Sequence, residues 1–264
     1  MRNEMRRVAR LWRGTCRASR IVIATGNSWG LCLAGDFEPD WSFQNGAVQV
    51  MVRRLPITRE AVRAASPLLS GVERQRAHRF AFDRDRHRFM VARALLRRLL
   101  GARLGTRPEA VELEYGPQGK PVLARRLASS GLRFNLSHCD DLAVYAFSPG
   151  REIGVDVEAV RPLRDADAIA ARFFSASENR TYLSLDSRDR PLGFFHCWTR
   201  KEAFIKALGD GLSYPLNRFD VSLAPGEPAR LLRLERAPGD ERRWRMESFA
   251  PAAGFVAAVV TERS

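Results

Sequence analysis

The sequence predicts an α+β fold, because two kinds of apolar spacing alternate along it. Period-two spacing, which is typical of strands, occurs over residues 46–55, within 132–160 and again toward the carboxyl end. Helical spacing dominates residues 83–105 and 194–209. With 264 residues, of which 45% are hydrophobic, the chain can bury the core of one large domain or of two small ones.

The first part of the chain is expected to hold one strand and several helices. The strand covers residues 46–55, and residues 57–82 are helical with breaks at Pro67 and Gly71. A long helix follows over residues 83–105. Its apolar stripe, which should face the core, consists of Phe89, Met90, Ala94, Leu95, Leu96, Leu99 and Leu100.

The second part mixes short strands with a second strong helix, which Gly209 and Gly211 should stop. Its expected elements, in chain order, are a Gly- and Pro-rich turn entering a strand (115–124), two strands joined at 148–152 (132–160), mainly helix and loop (165–190), the helix (194–209) and two further strands (219–224 and 254–262).

The first 45 residues are expected to form a basic, weakly structured extension. Residues 1–20 contain seven arginines and a single acid, Glu4, which resembles the charged start of a targeting peptide. The apolar segment that follows is short and interrupted by Gly and Asn, so a secretory core is not predicted. No apolar run in the chain approaches the roughly 20 residues that a membrane span needs.

The charge of the chain predicts a polyanionic partner. Its formal net charge of +14 suits a nucleic acid, a membrane surface, a phosphorylated small molecule or an acidic protein. The four cysteines lie far apart without a CxxC pair, and the four histidines form no HExxH set. This spacing argues against a zinc site and a disulfide framework and favours a reducing cytosol.

One short strand brings two carboxylates to the same face. In "IGVDVE" (153–158), Asp156 and Glu158 alternate with apolar residues, so they lie about 7 Å apart on one side of the strand. Such a pair can bracket one hard cation through oxygens and water; an exposed strand face with alternating charge is the alternative. Glu202 could add a third carboxylate if its helix packs across this strand.

Lysine is rare in this chain and unevenly placed. Lys120, Lys201 and Lys206 are the only lysines among 44 basic residues, and two of them lie near Glu202 in the helix "WTRKEAFIKALGDGL" (198–212). A compact ammonium binds phosphate as a point charge, which suits a site that also holds a metal. The alternative is two surface lysines, with Glu202 and Lys206 forming an ordinary ion pair one turn apart.

Four blocks in this order resemble the signature of the 4′-phosphopantetheinyl transferases. The blocks are "GKP" (119–121), "FNLSH" (134–138), "IGVDVE" (153–158) and "WTRKEAFIKALGDGL" (198–212). The likeness is strongest to the longer, pseudo-dimeric class that activates peptide and polyketide synthetases, and it runs from about residue 50 to about residue 225.

The resemblance implies two similar subdomains in a pseudo-twofold arrangement, each a small, mainly antiparallel sheet packed with a long helix. Residues 46–150 would form the N-terminal subdomain and hold the nucleotide of coenzyme A. Residues 151–264 would form the C-terminal subdomain and hold the metal and the pyrophosphate. Because one chain supplies both halves, a monomer in the cytoplasm is expected.

The resemblance also implies a reaction. A serine of an acyl or peptidyl carrier protein would attack the β-phosphate of coenzyme A, accept the 4′-phosphopantetheine arm and release adenosine 3′,5′-bisphosphate. Asp156, Glu158 and Glu202 would hold Mg²⁺ or Mn²⁺. Glu202 would also take the serine proton, and Lys201 and Lys206 would neutralise the pyrophosphate.

Other residues that match the family pattern would bind the rest of coenzyme A. Ser137 and His138 would contact its 3′-phosphate, and Asn135 would shape their turn, although a single histidine is more often structural. The remaining residues expected at coenzyme A are Gly119, Lys120 and Pro121 in and after "YGPQGK" (115–120), and Arg76 and Arg88 in the basic segment around the start of the long helix.

Carrier domains are acidic, which fits the basic chain, so neither a nucleic acid nor a membrane is expected as a partner. The main alternative is a Mg²⁺-dependent nuclease or another nucleic-acid-binding protein, whose arginines would bind backbone phosphates. The aromatic residues are not interleaved with the basic clusters, which argues against it. A third hypothesis, a non-catalytic module that binds coenzyme A or a carrier, is disfavoured because the acidic and lysine positions are intact.

Overall fold

The computed structural model describes residues 41–45 (backbone only), 47–117, 119–209, 214–235 and 237–263. Most of the expected N-terminal extension, residues 1–40, lies outside this part of the chain. The extension was predicted to reach residue 45, and here the structure differs. Strand β1, Trp41–Asn45, pairs antiparallel with β2, Val48–Arg54. The alternation in "WSFQN" is a period-two signal, so the ordered part begins earlier than predicted.

The N-terminal half is built around one long helix and a four-stranded antiparallel sheet with the order β1-β2-β6-β5. The apolar stripe predicted for the long helix is buried or half-buried. The elements after β2 are α1 (Arg59–Ala65), α2 (Gly71–His78), α3 (Asp83–Leu104), β3 (Leu113–Tyr115), β4 (Pro121–Leu123), β5 (Leu132–Cys139) and β6 (Leu142–Pro149).

The C-terminal half has a second long helix and a three-stranded antiparallel sheet with the order β10-β11-β7. Its elements are β7 (Ile153–Ala159), α4 (Ala166–Phe173), α5 (Ala176–Ser184), α6 (Arg190–Leu208), β8 (Phe219–Val221), β9 (Leu231–Leu234), β10 (Trp244–Phe249) and β11 (Phe255–Glu262).

The two halves repeat one order of elements. Each begins with a strand, continues through two short helices and a long helix, adds a pair of short strands, and ends with two sequential antiparallel strands. Apart from the additional strand β1 in the N-terminal half, the strand that precedes the helices pairs with the last strand of its half, β2 with β6 and β7 with β11. The predicted α+β fold of two similar halves is confirmed.

Four layers stack in the order α3, N-terminal sheet, C-terminal sheet, α6. The alternation of side chains along each strand produces this order. In β6, Tyr145 and Phe147 face the core under α3, whereas Val144 and Ala146 face the second sheet. The core between the two sheets consists of Val48, Val50, Val52, Leu142, Val144, Ala146, Ile153, Val155, Val157, Ala257 and Val259.

The segment 132–160 contains three strands rather than the predicted two. The additional turn lies at Asp140 and Asp141, between β5 and β6, and Asp140 has a positive φ of 51°. Aspartate tolerates this left-handed conformation better than most residues. The pair of aspartates between two apolar runs was therefore the available signal for a hairpin.

A buried ion pair in each half joins a short helix to the long helix. Ser70 and Glu73 form a capping box at the start of α2, and Ser175 and Glu178 form one at the start of α5. Glu73 accepts a 2.7 Å hydrogen bond from Arg97 of α3. At the equivalent place in the second half, Glu178 lies 2.7 Å from the ammonium of Lys201 of α6.

Candidate active site

The candidate active site lies along the seam between β5 and β7, the facing edges of the two sheets. No ladder of peptide hydrogen bonds joins these strands within the described residues, and polar side chains bridge them instead. Asn135 of β5 accepts a 2.9 Å hydrogen bond from the Val155 N–H. The carbonyl of Val155 accepts from Lys206 at 3.2 Å, and the carbonyl of Ile153 accepts from Lys120 at 3.3 Å.

Helix α6 lies so close to β7 that only glycine fits between them. A Cβ atom at Gly154 would stand 2.0 Å from the carbonyl oxygen of Ala203 in α6. Asp156 and Glu158 alternate with the residues of the inter-sheet core, so they share the face of Gly154 that α6 covers. The expected packing of this helix across the strand is confirmed.

Lys206 and Asp156 form the centre of the site. The ammonium lies 2.6 Å from Asp156 Oδ1 and also donates to Ser137 Oγ at 3.1 Å. The Ser137 hydroxyl in turn donates to the same Asp156 oxygen at 2.9 Å. The structure therefore joins residues from three of the four sequence blocks through direct hydrogen bonds.

If all three carboxyl groups here were ionised, they would carry more negative charge than one ammonium can offset. Burial raises the pKa of Glu158 to about 8, and the neighbouring charge of Asp156 adds to this. Burial likewise raises the pKa of Glu202 to about 7. Burial acts to lower the pKa of Lys206, but Asp156 and Glu202 outweigh it, so the pKa is raised. The cluster would be stabilised by a further positive charge.

The donor chemistry fits a hard divalent cation. Asp156 is 4% exposed, and its Oδ2 atom has no hydrogen-bond partner, which is costly for a buried carboxylate. No three acidic, histidine or cysteine side chains in the described ranges already stand at metal-ligating separations. Mg²⁺ commonly keeps several waters and takes only one or two protein carboxylates together with substrate phosphates, so such preassembly is not required.

The prediction that Lys201 neutralises the pyrophosphate is wrong. Its side chain is fully buried, and its ammonium donates to the carbonyls of Leu216 at 2.7 Å and Phe219 at 2.6 Å. The third partner of the ammonium is the carboxylate of Glu178. Because an ammonium has three donors, none remains for a ligand. Lys201 is the counterpart of Arg97 and joins α6 to α5.

Ser137 and His138 lie on opposite faces of β5, and their contact with the 3′-phosphate of coenzyme A stays a prediction. Neighbouring residues of a strand point to opposite faces. Ser137 faces β7 and belongs to the carboxylate cluster. His138 lies on the other face of β5, the face on which Phe134 and Leu136 pack against the core under α3. Asn135 bridges to β7 rather than shaping a turn.

Arg76 and the "GKP" block, both of which were expected at coenzyme A, lie close together. The guanidinium of Arg76 is 5.5 Å from the ring centre of Phe89 and 6.0 Å from that of Tyr115. A Cβ atom at Gly119, whose φ is +82°, would stand 3.9 Å from Arg76 Nη1. The structure therefore brings this upstream cation to the glycine loop; that both bind coenzyme A stays a prediction.

Lys120 and Pro121 are less accessible to a ligand than their expected contact with coenzyme A implies. Lys120 lies at the beginning of β7, 3.5 Å from Glu152, and burial lowers the pKa of its ammonium. Pro121 is buried at the start of β4 and pairs with Tyr115. Both residues hold the loop in place, and Lys120 brings a second ammonium to the edge of β7 that Lys206 occupies.

Arg88 does not provide the free phosphate-binding cation that was predicted. It is buried among three carboxylates, at 2.8 Å from Asp141, 3.7 Å from Asp85 and 3.7 Å from Asp140. These contacts tie the start of α3 to the turn between β5 and β6. A phosphate at Arg88 would have to displace acidic groups that already neutralise the guanidinium.

Two residues near the site were not predicted from the sequence, Arg93 and Cys139. Arg93 is buried and lies 5.5 Å and 5.7 Å from the ring centres of Phe89 and Tyr115. Two of its guanidinium nitrogens form no hydrogen bond, although Nε lies 3.6 Å from Glu73. Cys139 lies beside Glu158 and affects its pKa. The alternation of β5 places Cys139 on the face of Ser137, which was a usable signal; nothing local marks Arg93 among so many arginines.

Two family descriptions match adjoining parts of the chain. One, "4′-phosphopantetheinyl transferase, N-terminal", matches residues 55–150, and the other, "4′-phosphopantetheinyl transferase superfamily", matches residues 152–260. The two matches meet where the two halves of the fold meet.

Several proteins are similar to the chain over most of this length. HetI, a 4′-phosphopantetheinyl transferase of Nostoc sp., is 42% identical over 191 residues, which are 72% of this chain and 77% of HetI. The Bacillus subtilis 4′-phosphopantetheinyl transferase Sfp is 30% identical over 168 residues, 64% and 72% of the two chains. The human L-aminoadipate-semialdehyde dehydrogenase-phosphopantetheinyl transferase is 30% identical over 200 residues, 71% and 63% of the two chains.

The chain belongs to the 4′-phosphopantetheinyl transferase superfamily, and it groups with the longer class that the sequence indicated. The activity of this family is transfer of phosphopantetheine from coenzyme A to carrier proteins, and no finding favours the nuclease alternative. Among the described residues, no helix has the length and apolar character needed to cross a bilayer.

Proposed function

We propose that this chain converts an apo carrier protein to its holo form at the seam between β5 and β7. The observation that carries the proposal is the bonded cluster of Lys206, Asp156 and Ser137, with Glu202 one helical turn from Lys206. The nucleotide of coenzyme A would lie toward Arg76 and the "GKP" loop. The phosphates would then extend along the seam toward Lys206.

The proposed step is an in-line displacement at phosphorus. The carrier serine oxygen forms a bond to the β-phosphorus of coenzyme A, and the bond from that phosphorus to the adenosine bisphosphate oxygen breaks. The serine proton passes to Glu202, the carboxylate one helical turn from Lys206. Lys206, whose side chain is 27% exposed, offsets charge on the departing phosphate.

Asp156 and Glu158 would hold Mg²⁺, with Glu202 as a further ligand. The cation would supply positive charge to the pyrophosphate and would occupy the unpartnered side of Asp156. The protein residues orient this arrangement: Ser137 and Lys206 fix one oxygen of Asp156 and leave the other free. Mn²⁺, which prefers the same oxygen donors, would serve in place of Mg²⁺.

The finer expectations about partner and state belong to the same proposal. An acidic carrier protein suits a chain of net charge +14. The repeated halves form one seam within a single chain, which supports a monomer. The separated cysteines support a reducing cytosol as the compartment.

The test is the mass of a carrier protein after incubation with the enzyme, coenzyme A and Mg²⁺. A gain of one phosphopantetheine arm is expected, and Glu202→Gln should abolish it while leaving thermal unfolding unchanged. Glu109→Gln, at an exposed position away from the seam, is the matched control and should keep full activity. No gain with several carriers, together with DNA cleavage, would overturn the proposal.

A further inference from the structure

A second concave surface lies at the edge of the C-terminal sheet opposite to the seam. The cleft measures about 680 Å³, within the range of small ligand-binding pockets. It lies between β9 and the outer edge of β10. Because the sheet order is β10-β11-β7, two interstrand spacings, about 10 Å, separate this edge from the strand that carries Asp156.

Arginines dominate the lining of this cleft. Arg230, Arg242, Arg245 and Arg263 meet only two acids there, Glu241 and Glu247. Arg245 is neutralised by Glu247 at 2.6 Å. Neither Arg230 nor Arg242 forms an ion pair with any residue in the described ranges, so the cleft presents unbalanced positive charge.

The floor of the cleft is apolar and fixed. Met246 is 7% exposed and Leu231 is 8% exposed. Trp244 is half-buried and packs edge-on against Phe204 of α6, with 5.3 Å between ring centres. Tryptophan and arginine are the residue types that contribute most to protein-binding surfaces.

The backbone of β10 offers hydrogen bonds toward the cleft. The N–H of Arg263 donates to the carbonyl of Arg243, so this pair is hydrogen-bonded between β11 and the start of β10. Hydrogen-bonded and non-hydrogen-bonded pairs alternate along antiparallel strands. The peptide groups of Trp244 and Met246 consequently point outward, and β10 is the edge strand of its sheet in the described chain. The Trp244 carbonyl already accepts a hydrogen bond from Arg263 Nε at 3.3 Å, so Met246 offers the outward groups for a ligand.

We propose that this edge, the β10 cleft, binds an acidic extended peptide that adds a strand to β10. A peptide backbone supplies the alternating donors and acceptors that the outward groups of Met246 require, whereas a nucleic-acid backbone offers mainly acceptors. The carboxylates of the peptide would meet Arg230 and Arg242. The two glutamates of the cleft disfavour a continuous run of phosphates.

The experiment measures the fluorescence polarisation of a labelled decapeptide of alternating Glu and Val with the full-length protein. The same peptide with every valine replaced by proline lacks all the backbone N–H donors on one edge of the strand and should bind at least tenfold more weakly. Arg230→Glu with Arg242→Glu should weaken the Glu–Val peptide at least tenfold. Arg188→Glu, an exposed arginine outside the cleft, should leave its affinity unchanged.

Two further readouts separate strand addition from simple charge attraction. Bound peptide should slow amide hydrogen exchange in 244–249, and the double variant should keep its phosphopantetheine transfer rate within twofold. Equal affinity for the proline peptide, or no effect of the double variant, would overturn the proposal. So would tighter binding of a single-stranded oligonucleotide that the double variant weakens, since the cleft would then be a nucleic-acid site.

Discussion

Replacing Gly154 by alanine tests whether the contact between α6 and β7 sets the geometry of the site. The new Cβ atom would stand 2.0 Å from the Ala203 carbonyl oxygen and 2.4 Å from the Ala207 nitrogen. Ordinary contact begins near 3.4 Å, so the helix must withdraw by about 1.4 Å. The 2.6 Å contact of Lys206 with Asp156 would then open to about 4 Å, beyond hydrogen bonding.

Both activity and stability should fall. A misplacement of about 1 Å costs on the order of 100-fold in rate, and overpacking costs about 1–3 kcal/mol. For a chain of this size the latter lowers Tm by roughly 2–12 °C. The assays are carrier-protein mass gain under single-turnover conditions and thermal unfolding followed by circular dichroism.

Gly193→Ala is the matched control in the same helix. Its Cβ atom would meet a terminal methyl group of Leu185 at 2.3 Å, and a flexible side chain can rotate away where a backbone carbonyl cannot. This variant should lose far less activity than Gly154→Ala. A Gly154→Ala protein with wild-type rate and a Tm within about 1 °C would refute the reasoning.

Three more predictions separate structural from reactive groups. Lys201→Met should lower the free energy of unfolding in urea by about 3–5 kcal/mol, because it strands the buried Glu178 carboxylate; an unchanged midpoint would contradict this. Lys206→Arg should slow transfer with Tm unchanged, because a planar guanidinium cannot replace a compact ammonium among three close oxygens; wild-type kinetics would contradict it. Burial lowers the pKa of His196 to about 4, and the charge of Arg200 adds to this. The unfolded chain therefore takes up the proton first, so stability should be full above pH 6.5 and fall toward pH 4. At pH 5 the loss should be about 1 kcal/mol, allowing for partial exposure of the ring, and His196→Gln should flatten this dependence in urea titrations at several pH values.

The face of β7 and the position of α6 were predictable because both depend on short-range periodicity. Alternation along "IGVDVE" places Asp156 and Glu158 on the strand face opposite to the apolar residues, and this placement depends only on the strand itself. The helix around Glu202 has clear helical spacing of its apolar residues, and Gly209 and Gly211 follow it. The same local rules gave the buried stripe of α3.

The error at Lys201 was avoidable from helix geometry. Successive helical residues are separated by about 100°, so Lys201 cannot face the same ligand as its neighbour Glu202. Lys206, four residues beyond Glu202, lies on the same face. Alternation along a strand likewise predicts that Ser137 and His138 lie on opposite faces of β5.

The role of Arg88 could not be read from local sequence. Its partners Asp140 and Asp141 lie more than 50 positions away, and the turn that holds them was not predicted. The capture of Lys201 by Glu178 is likewise a tertiary contact. It is explained by comparison with the equivalent pair of Glu73 and Arg97, which shows that a buried ion pair at this place stabilises the fold in both halves.

The seam between β5 and β7 has a consequence for how this enzyme can diversify. The hydrogen bonds of a peptide ladder form whatever the side chains are, so substitutions would change the spacing of two strands joined by a ladder very little. Here the side chains of Asn135, Ser137 and Lys206 join the two strands, and Lys120 adds a contact to β7. Asn135 and Lys120 lie outside the bonded cluster of Lys206, Asp156 and Ser137, so their contacts are open to substitution. Substitutions can therefore adjust the width and charge of the seam one residue at a time, while both sheets keep their hydrogen bonds and cores.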